Sequence, residues 1–301
     1  MIFGTGVAQV VPILVTPLLT RVYSPESFGY HASIMAVVAI LAVLATLKYE
    51  VAIIQPESKL DADQIFLSSI FLSALFNLCL VFILLTVARI APINNVSGWL
   101  VVLIPVAIFL SNVNTAFNFF LNRLEEYKVM SVNKVLFSSF NAFFAISFGL
   151  IEASYLSLVL AFVISHSIIT LSLLVRFRCV IEKFNIDEAK KQLKIYKHYP
   201  QLALPSSVFN ILSARSPVLF ITQLFGANIS GNYSLTSRIV SMPIGVIGRS
   251  VSTVYRQQAT QEQRDGLGYR KIFKLTFFTV LLFSVFYIFN FVTDKKDALA
   301  N

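Results

Sequence analysis

The chain is 301 residues long, 56% hydrophobic and 13% charged, with a mean hydropathy of +0.76. Soluble globular domains carry about 25% charged residues, so this composition excludes that class and indicates an integral membrane protein. The net charge of +9 does not indicate a nucleic-acid partner, because the cations are concentrated in alternate loops between apolar segments.

Apolar segments recur along the chain, and most are close to the 20 residues that a helix needs to cross a bilayer. Transmembrane β-strands need only about 10 residues of alternating polarity, so these runs predict helices rather than a barrel. We therefore predict an all-α, polytopic bundle of nine transmembrane helices. In chain order they are 2–19, 30–47, 65–88, 99–121, 135–151, 155–175, 202–225, 233–253 and 272–292.

Positive side chains favour one set of loops. Of the 24 Lys and Arg residues, 17 lie in four alternate loops, at 48–64, 122–134, 176–201 and 254–274. The opposite loops hold only Arg21 and Arg89. By the positive-inside rule, the N-terminus is predicted to be cytoplasmic and the first loop to face outward.

The longest polar segment, 176–201, carries a helix signal. Asn185 followed by Glu188 is typical of a helix start, with lysines later as the helix dipole prefers. Apolar residues recur at helical spacing at Ile186, Ala189, Leu193 and Tyr196. We predict an amphipathic helix on the anionic inner leaflet; a solvated basic linker is the alternative.

This segment is predicted to be a cytoplasmic linker between two parts of the bundle. A complete first lobe of six helices spans residues 1–175, and a partial second lobe of three helices spans residues 202–301. A short internal echo supports the division, because "FGYHASI" at 28–34 and "GNYSLTSRI" at 231–239 each follow an outward turn. Internal repeats are typical of transporter folds.

Polar side chains recur on one face of several predicted helices. The first helix aligns Gln9 with Thr16, the fourth carries Asn114 and Asn118, and the seventh carries Asn210. Such residues face other helices or a water-filled cavity. Interhelical hydrogen bonds would explain any one of them, whereas stripes on several helices favour a hydrated central cavity.

Three arginines lie within the predicted helices. Arg215 is about eleven residues from either end of the seventh helix, where a cation costs about 2.5–3.5 kcal/mol. Arg238 and Arg249 are eleven positions apart, on one face of a helix, with snorkelling to the interface as the alternative. Guanidinium groups facing a cavity suit phosphate, which they bind through two parallel hydrogen bonds. We therefore hypothesise an anionic, phosphorylated ligand.

Other kinds of site lack a sequence signal. No Asp or Glu lies deep in a predicted helix, since Glu50 and Glu152 lie at helix edges. Cys79 lies in a predicted helix and Cys179 in a cytoplasmic loop, so neither a disulfide nor a metal site is expected. No P-loop or GxGxxG motif is present, so no cofactor is expected. His166 is expected to be an interior, hydrogen-bonded histidine.

Residues 4–56 resemble the start of bacterial O-antigen and polysaccharide flippases, which belong to the multidrug/oligosaccharidyl-lipid/polysaccharide exporter superfamily. The most specific parts are "PLLTRVYSPESFG" at 17–29 and "KYEVAIIQP" at 48–56. Ser24, Pro25 and Glu26 also form an efficient helix start, with a cap, a first-turn proline and an acid that matches the dipole.

The resemblance implies two helical lobes around a cationic cavity that opens alternately to each side of the bacterial inner membrane. The implied substrate is an O-antigen or capsule repeat unit linked to undecaprenyl pyrophosphate. A polysaccharide polymerase and chain-length proteins are implied partners. Family members usually have twelve or more spans, so nine spans lead us to expect a truncated version or a fragment.

Several other functions stay open. A lipid-linked peptidoglycan precursor flippase would use the same pyrophosphate anchor. A multidrug exporter of the same superfamily is disfavoured, because it is expected to use membrane-buried carboxylates. A glycosyltransferase or polymerase is disfavoured because the outward loops show no catalytic cluster, so we do not expect an enzyme. A non-transporting scaffold is the remaining alternative.

Overall fold

The structure, a computed structural model, describes residues 2–90, 98–182 and 184–241. The chain forms two compact units, Met1–Ser237 and Arg238–Asn301. Apart from the short stretch 238–241, the described residues all belong to the first unit.

Every regular element in this part of the chain is helical. The long helices are α1 (Ile2–Val22), α2 (Pro25–Ala45), α4 (Lys59–Ile90), α5 (Leu100–Arg123), α6 (Tyr127–Ile151), α7 (Tyr155–Arg176) and α10 (Leu204–Phe225). The short helices are α3 (Tyr49–Ala52), α8 (Arg178–Ile181) and α9 (Ile186–Ile195). A single π-helical turn, Tyr199–Ala203, leads directly into α10, and residues 227–241 are helical as well.

Within the described residues, six helical segments are long and apolar enough to cross a membrane. They are Pro25–Ala45, Lys59–Val87, Leu100–Arg123, Tyr127–Ile151, Tyr155–Arg176 and Tyr199–Phe225. The apolar part of α1, Val10–Val22, is shorter. An all-α, multi-pass membrane bundle is thereby confirmed. The count of nine spans and the cytoplasmic N-terminus stay predictions, and the ninth span, 272–292, lies outside the described residues.

Large apolar side chains cover the outside of the bundle. On α4, Phe71, Leu78 and Phe82 are 57%, 69% and 73% exposed. An exposed apolar surface of this size would be unfavourable in water, whereas hydrocarbon is a matching solvent for it. The outer face of α4 therefore fits contact with lipid.

The core of the first unit is built around α5, which packs against α2, α4, α6 and α7. Phe117 and Phe120 of α5 are fully buried against Phe66 of α4. Their ring centroids lie 4.9 and 4.6 Å, respectively, from the centroid of the Phe66 ring. These two positions are three residues apart, so they share one face of α5. Elsewhere α1 packs on α6, and α10 packs on α2.

The turn between α1 and α2 has the predicted helix start. The Ser24 side chain accepts a hydrogen bond from the Ser27 amide at 3.2 Å, and Pro25 begins α2. The preceding residue, Tyr23, is buried and donates from its hydroxyl to the Ala145 carbonyl of α6 at 2.6 Å. Burial raises the pKa of Tyr23 to about 12, because the charged phenolate would lose its hydration. A side chain thus fastens this turn to α6.

The linker contains the predicted helix, α9, but its apolar face contacts protein. The Asn185 side chain accepts from the amides of Asp187 and Glu188 at 2.9 and 3.4 Å. Ala189 is buried where α9 packs on α4, and Tyr49 donates to the Leu193 carbonyl at 3.0 Å. Ile186, on the same predicted apolar face, is 59% exposed, so the contact of α9 with the leaflet stays a prediction.

Candidate functional site

Arg215 lies in the middle of α10, and its side chain is exposed. It shares one row of the helix with Ile211, Val218 and Thr222, which lie at helical spacing before and after it and are half-buried. The Thr222 hydroxyl is 2.7 Å from the Ser33 hydroxyl of α2. Arg215 therefore projects from the side of α10 that is turned towards α2, about 10 Å along the axis from Thr222.

Asn210 lies on a different side of α10. It is exposed and five positions before Arg215, which corresponds to about 140° around a helix. Ser206 and Ser213 share its side and are exposed as well. Asn210 and Arg215 were predicted for the same cavity, but α10 does not bring them together on one face.

The predicted amides of α5 are hydrogen-bonded within the helix bundle. The Asn114 side chain donates to the Thr170 hydroxyl of α7 at 2.7 Å, and also to its own helix at the Leu110 carbonyl. Asn118 donates to the Asn114 carbonyl at 2.8 Å. Both are half-buried. The Asn114–Thr170 bond joins two helices, as in the interhelical alternative that the sequence left open, whereas the Asn118 bond stays within α5.

Polar contacts also join other helices, including residues that the sequence analysis did not single out. Asn112 donates to the buried Ser73 hydroxyl of α4 at 3.1 Å, and Ser138 of α6 donates to the Ala8 carbonyl at 2.8 Å. Asn112 is one of a dense group of polar residues in α5. That density was the available signal, but it does not say which member turns towards α4.

On α1, Thr16 is buried, and its hydroxyl donates to the Pro12 carbonyl one turn earlier. Gln9 lies in the same helix, but its side chain is not among the described ones. Arg238 belongs to the second unit, where it is exposed. Arg249 lies outside the described residues. The role of these residues as a cavity lining stays a prediction.

His166 is packed inside the bundle, as expected for an interior histidine. Its ring lies 4.2 Å from the Phe137 ring and 4.1 Å from the Phe162 ring, between centroids. Its Nδ1 is 3.2 Å from the Phe162 carbonyl. These contacts describe a residue that joins α6 to α7 rather than a ligand.

The segment "KYEVAIIQP" contains a buried carboxylate that the sequence analysis placed at a helix edge. Glu50 is 3% exposed, and its Oε1 lies 3.3 Å from Lys48 Nζ. Leu47 and Lys48 adopt left-handed backbone angles, with φ of 51° and 64°, and α3 packs against α4 and α5 after this turn. Asp63, near the start of α4, is 1% exposed. The apolar pattern of the sequence reports the length of a helix and not a tight turn. It therefore did not predict the burial of Glu50 and Asp63.

Arg123 holds the loop that follows this segment. Its Nη1 donates to the carbonyls of Ile53 and Ile54, and its Nη2 donates to the carbonyls of Glu57 and Ser58. The four distances lie between 3.2 and 3.5 Å. A planar guanidinium can serve four acceptors in this way because its donors are fixed in a fork.

No group of three or more His, Cys, Asp or Glu side chains that could hold a metal ion occurs in the described residues. This part of the chain therefore holds no candidate metal site. Its distinctive chemical feature is a cation in the middle of an apolar helix.

Comparison with known families gives one match. A family model described as polysaccharide biosynthesis protein matches residues 18–295, which is most of the chain. No curated protein matches, and no solved structure matches.

Proposed function

Because the chain belongs to this polysaccharide biosynthesis protein family, we propose that it is a flippase for a lipid-linked oligosaccharide. The substrate would be an O-antigen or capsule repeat unit on undecaprenyl pyrophosphate, carried across the bacterial inner membrane by alternating access. A polysaccharide polymerase and chain-length proteins would act beside it. The chain would be a transporter and not an enzyme.

The observation that carries this proposal is the placement of Arg215. It lies at the centre of a membrane-spanning helix, where an arginine costs about 2.5–3.5 kcal/mol on insertion scales. It is also exposed on the side of α10 that is turned towards α2. A cation kept there at such a cost fits a phosphorylated headgroup passing between these helices.

The test uses purified protein in liposomes that contain a fluorescent undecaprenyl-pyrophosphate-linked sugar. A membrane-impermeant reductant bleaches only the outer-leaflet probe, so flipping increases the bleached fraction. Arg215→Gln should slow flipping by about tenfold to a hundredfold, because a charge-assisted hydrogen bond contributes about 1.5–3 kcal/mol. Arg215→Lys should fall between, since it keeps the charge but loses the fork.

Arg178→Gln is the matched control, because Arg178 is an exposed arginine outside the long helices. It should flip the probe at the parent rate. If Arg215→Gln also flipped the probe at the parent rate while being equally well folded, the proposed role of Arg215 would be refuted.

The two other transporter alternatives are tested in the same liposomes. A peptidoglycan precursor flippase would transport the undecaprenyl-pyrophosphate probe only when it carries the muropeptide. A multidrug exporter would expel a cationic dye instead. Glu50 and Asp63 are buried within the segment 48–64 and not in the middle of a span, so the dye measurement tests the exporter directly.

A further inference from the structure

Two glycines bring the backbones of α2 and helix 227–241 into direct contact. A β-carbon on Gly29 would overlap the Ala227 carbonyl and lie 2.7 Å from the Ser230 hydroxyl. A β-carbon on Gly231 would overlap the Pro25 carbonyl. Because each obstacle is mainly backbone and not the end of a flexible side chain, both positions need glycine while the helices are in contact.

A second contact lies one turn further along α2. Ser33 is four residues after Gly29, and its hydroxyl is 2.7 Å from the Thr222 hydroxyl near the end of α10. The contact region is dry, since Ser230 is fully buried and Ala227 is 7% exposed. Leu235 of helix 227–241 also packs against the cluster that contains Phe28.

These contacts join the two regions that echo each other in sequence. Gly29 lies in "FGYHASI" and Gly231 in "GNYSLTSRI", so equivalent glycines of the two predicted lobes meet each other. By the distribution of Lys and Arg, they meet at the end of the bundle that is predicted to face outward.

The polar part of this contact is weak. They consist of a small-residue approach and a single hydroxyl pair, and a polar pair between membrane helices contributes only about 0.6 kcal/mol on average. Arg215 lies seven residues before Thr222 on the same row of α10, on the other side of the hydroxyl pair from the glycines. Separation of α2 from α10 and helix 227–241 would open a way from Arg215 towards the outer leaflet.

We propose that the Gly29–Gly231 contact, together with the Ser33–Thr222 hydroxyl pair, is an outward gate that opens in each transport cycle. This inference rests on the proposed flippase function. It extends that function by naming which helices separate to release the headgroup and which atoms hold them closed.

The first test locks the gate. Cys79 and Cys179 are replaced by Ser, and Ser33→Cys and Thr222→Cys are introduced together. Because the two native hydroxyl oxygens are 2.7 Å apart, oxidation should form a disulfide with little backbone movement. The oxidised protein should lose flipping of the fluorescent undecaprenyl-pyrophosphate-linked sugar, and a reductant should restore it. A disulfide that fails to form, or that leaves flipping unchanged, would overturn the gate.

The second test follows opening without measuring transport. In the cysteine-free background, Ser230→Cys places a thiol in the dry contact, whereas Gly98→Cys places one in an open, exposed loop. In right-side-out vesicles, a membrane-impermeant maleimide should label the Gly98→Cys variant quickly. It should label the Ser230→Cys variant more slowly, and faster once the lipid-linked sugar is added.

The two tests separate the gate from the proposed function. If the parent protein does not flip the probe but the Ser230→Cys variant becomes labelled over time, the flippase assignment fails and the opening of this contact stands. If the Ser230→Cys variant is never labelled while the Gly98→Cys variant is, the contact is permanent and the gate is refuted whatever the transport result.

Discussion

Tyr23 shows how one side chain can fix the relation between helices. Its hydroxyl bonds to the Ala145 carbonyl, and its ring occupies the space next to Gly149. A β-carbon on Gly149 would lie 2.7 Å from two ring carbons of Tyr23 and from its hydroxyl oxygen. Hence the turn that begins α2 is fastened to α6 by both a hydrogen bond and a close fit.

We expect Tyr23→Phe to lower the free energy of unfolding by about 0.5–1.5 kcal/mol, which is the usual net value of one hydrogen bond. Thermal unfolding in detergent measures the change, with Tyr30→Phe as the control because Tyr30 is 43% exposed. Since burial raises the pKa of Tyr23 from 10.0 to about 12, only the unfolded phenol ionises between these values. The parent protein should therefore lose stability as pH rises through this range, and Tyr23→Phe should lose less.

Gly149→Ala should destabilise the fold by about 1–3 kcal/mol, because the added methyl group overpacks against the Tyr23 ring. Gly98→Ala is the control, since a β-carbon there meets nothing within 4 Å. The same unfolding assay applies. Equal midpoints for the two alanine variants would show that the ring can move aside at no cost.

For single residues, the sequence predicted helix starts and caps better than it predicted which side chains are buried. The start of α2 at Pro25 and the cap at Asn185 follow from short-range rules, and both are confirmed. The burial of Glu50 and the partner of Asn112 depend on how distant helices pack. A helix period tells which residues share a face, but not which neighbour covers that face.

Among the elements, the loop between α3 and α4 depends on a residue from α5. Arg123 supplies donors to four carbonyls of residues 53–58, and Ser58 also accepts from the Ala62 amide as α4 begins. The turn on the other side of α3 carries two left-handed residues, Leu47 and Lys48. Arg123 therefore fixes a loop that lies close to strained backbone.

Arg123→Lys should loosen this loop, because an ammonium group cannot serve two pairs of carbonyls at once. Hydrogen–deuterium exchange should become about tenfold faster in a peptide that covers residues 53–62, as expected when local opening becomes easier by about 1.4 kcal/mol. Arg178→Lys should leave that peptide unchanged. Parent-like exchange in Arg123→Lys would mean that packing alone holds the loop.

Two long helices begin well before the predicted spans. The third and fifth spans were predicted to begin at 65 and 135, whereas α4 and α6 begin at Lys59 and Tyr127. Hydropathy reports the part of a helix that is apolar enough for lipid, and a helix continues into its polar ends. Within the described residues, the order of the long helices was therefore easier to predict than their ends.

For the whole molecule, two native cysteines report on its orientation in the membrane. Cys179 lies in α8, within the basic linker, and is exposed; Cys79 is exposed on α4, within a predicted span. A membrane-impermeant maleimide should label Cys179 in inside-out vesicles only, by the positive-inside rule. Cys79 should stay unlabelled in vesicles of either orientation because lipid surrounds it.

Labelling of Cys179 only in right-side-out vesicles would reverse the predicted topology. It would also move the proposed gate to the cytoplasmic side.

The overall class of the protein was predictable because charge and hydropathy are summed over the whole chain. The arrangement of a ligand site was not, because the helix that Arg215 is turned towards depends on how α10 packs against α2.

The π-helical turn Tyr199–Ala203 precedes α10 directly, so its length sets the rotation of α10 about its own axis. A π-turn holds one more residue than the α-helical path needs, so shortening it by one residue would rewind the helix by about 100°. Deletion of Gln201 alone would then swing Arg215 away from α2, with every residue of α10 unaltered. The direction in which the central cation points is thus encoded by the length of a segment that never touches it.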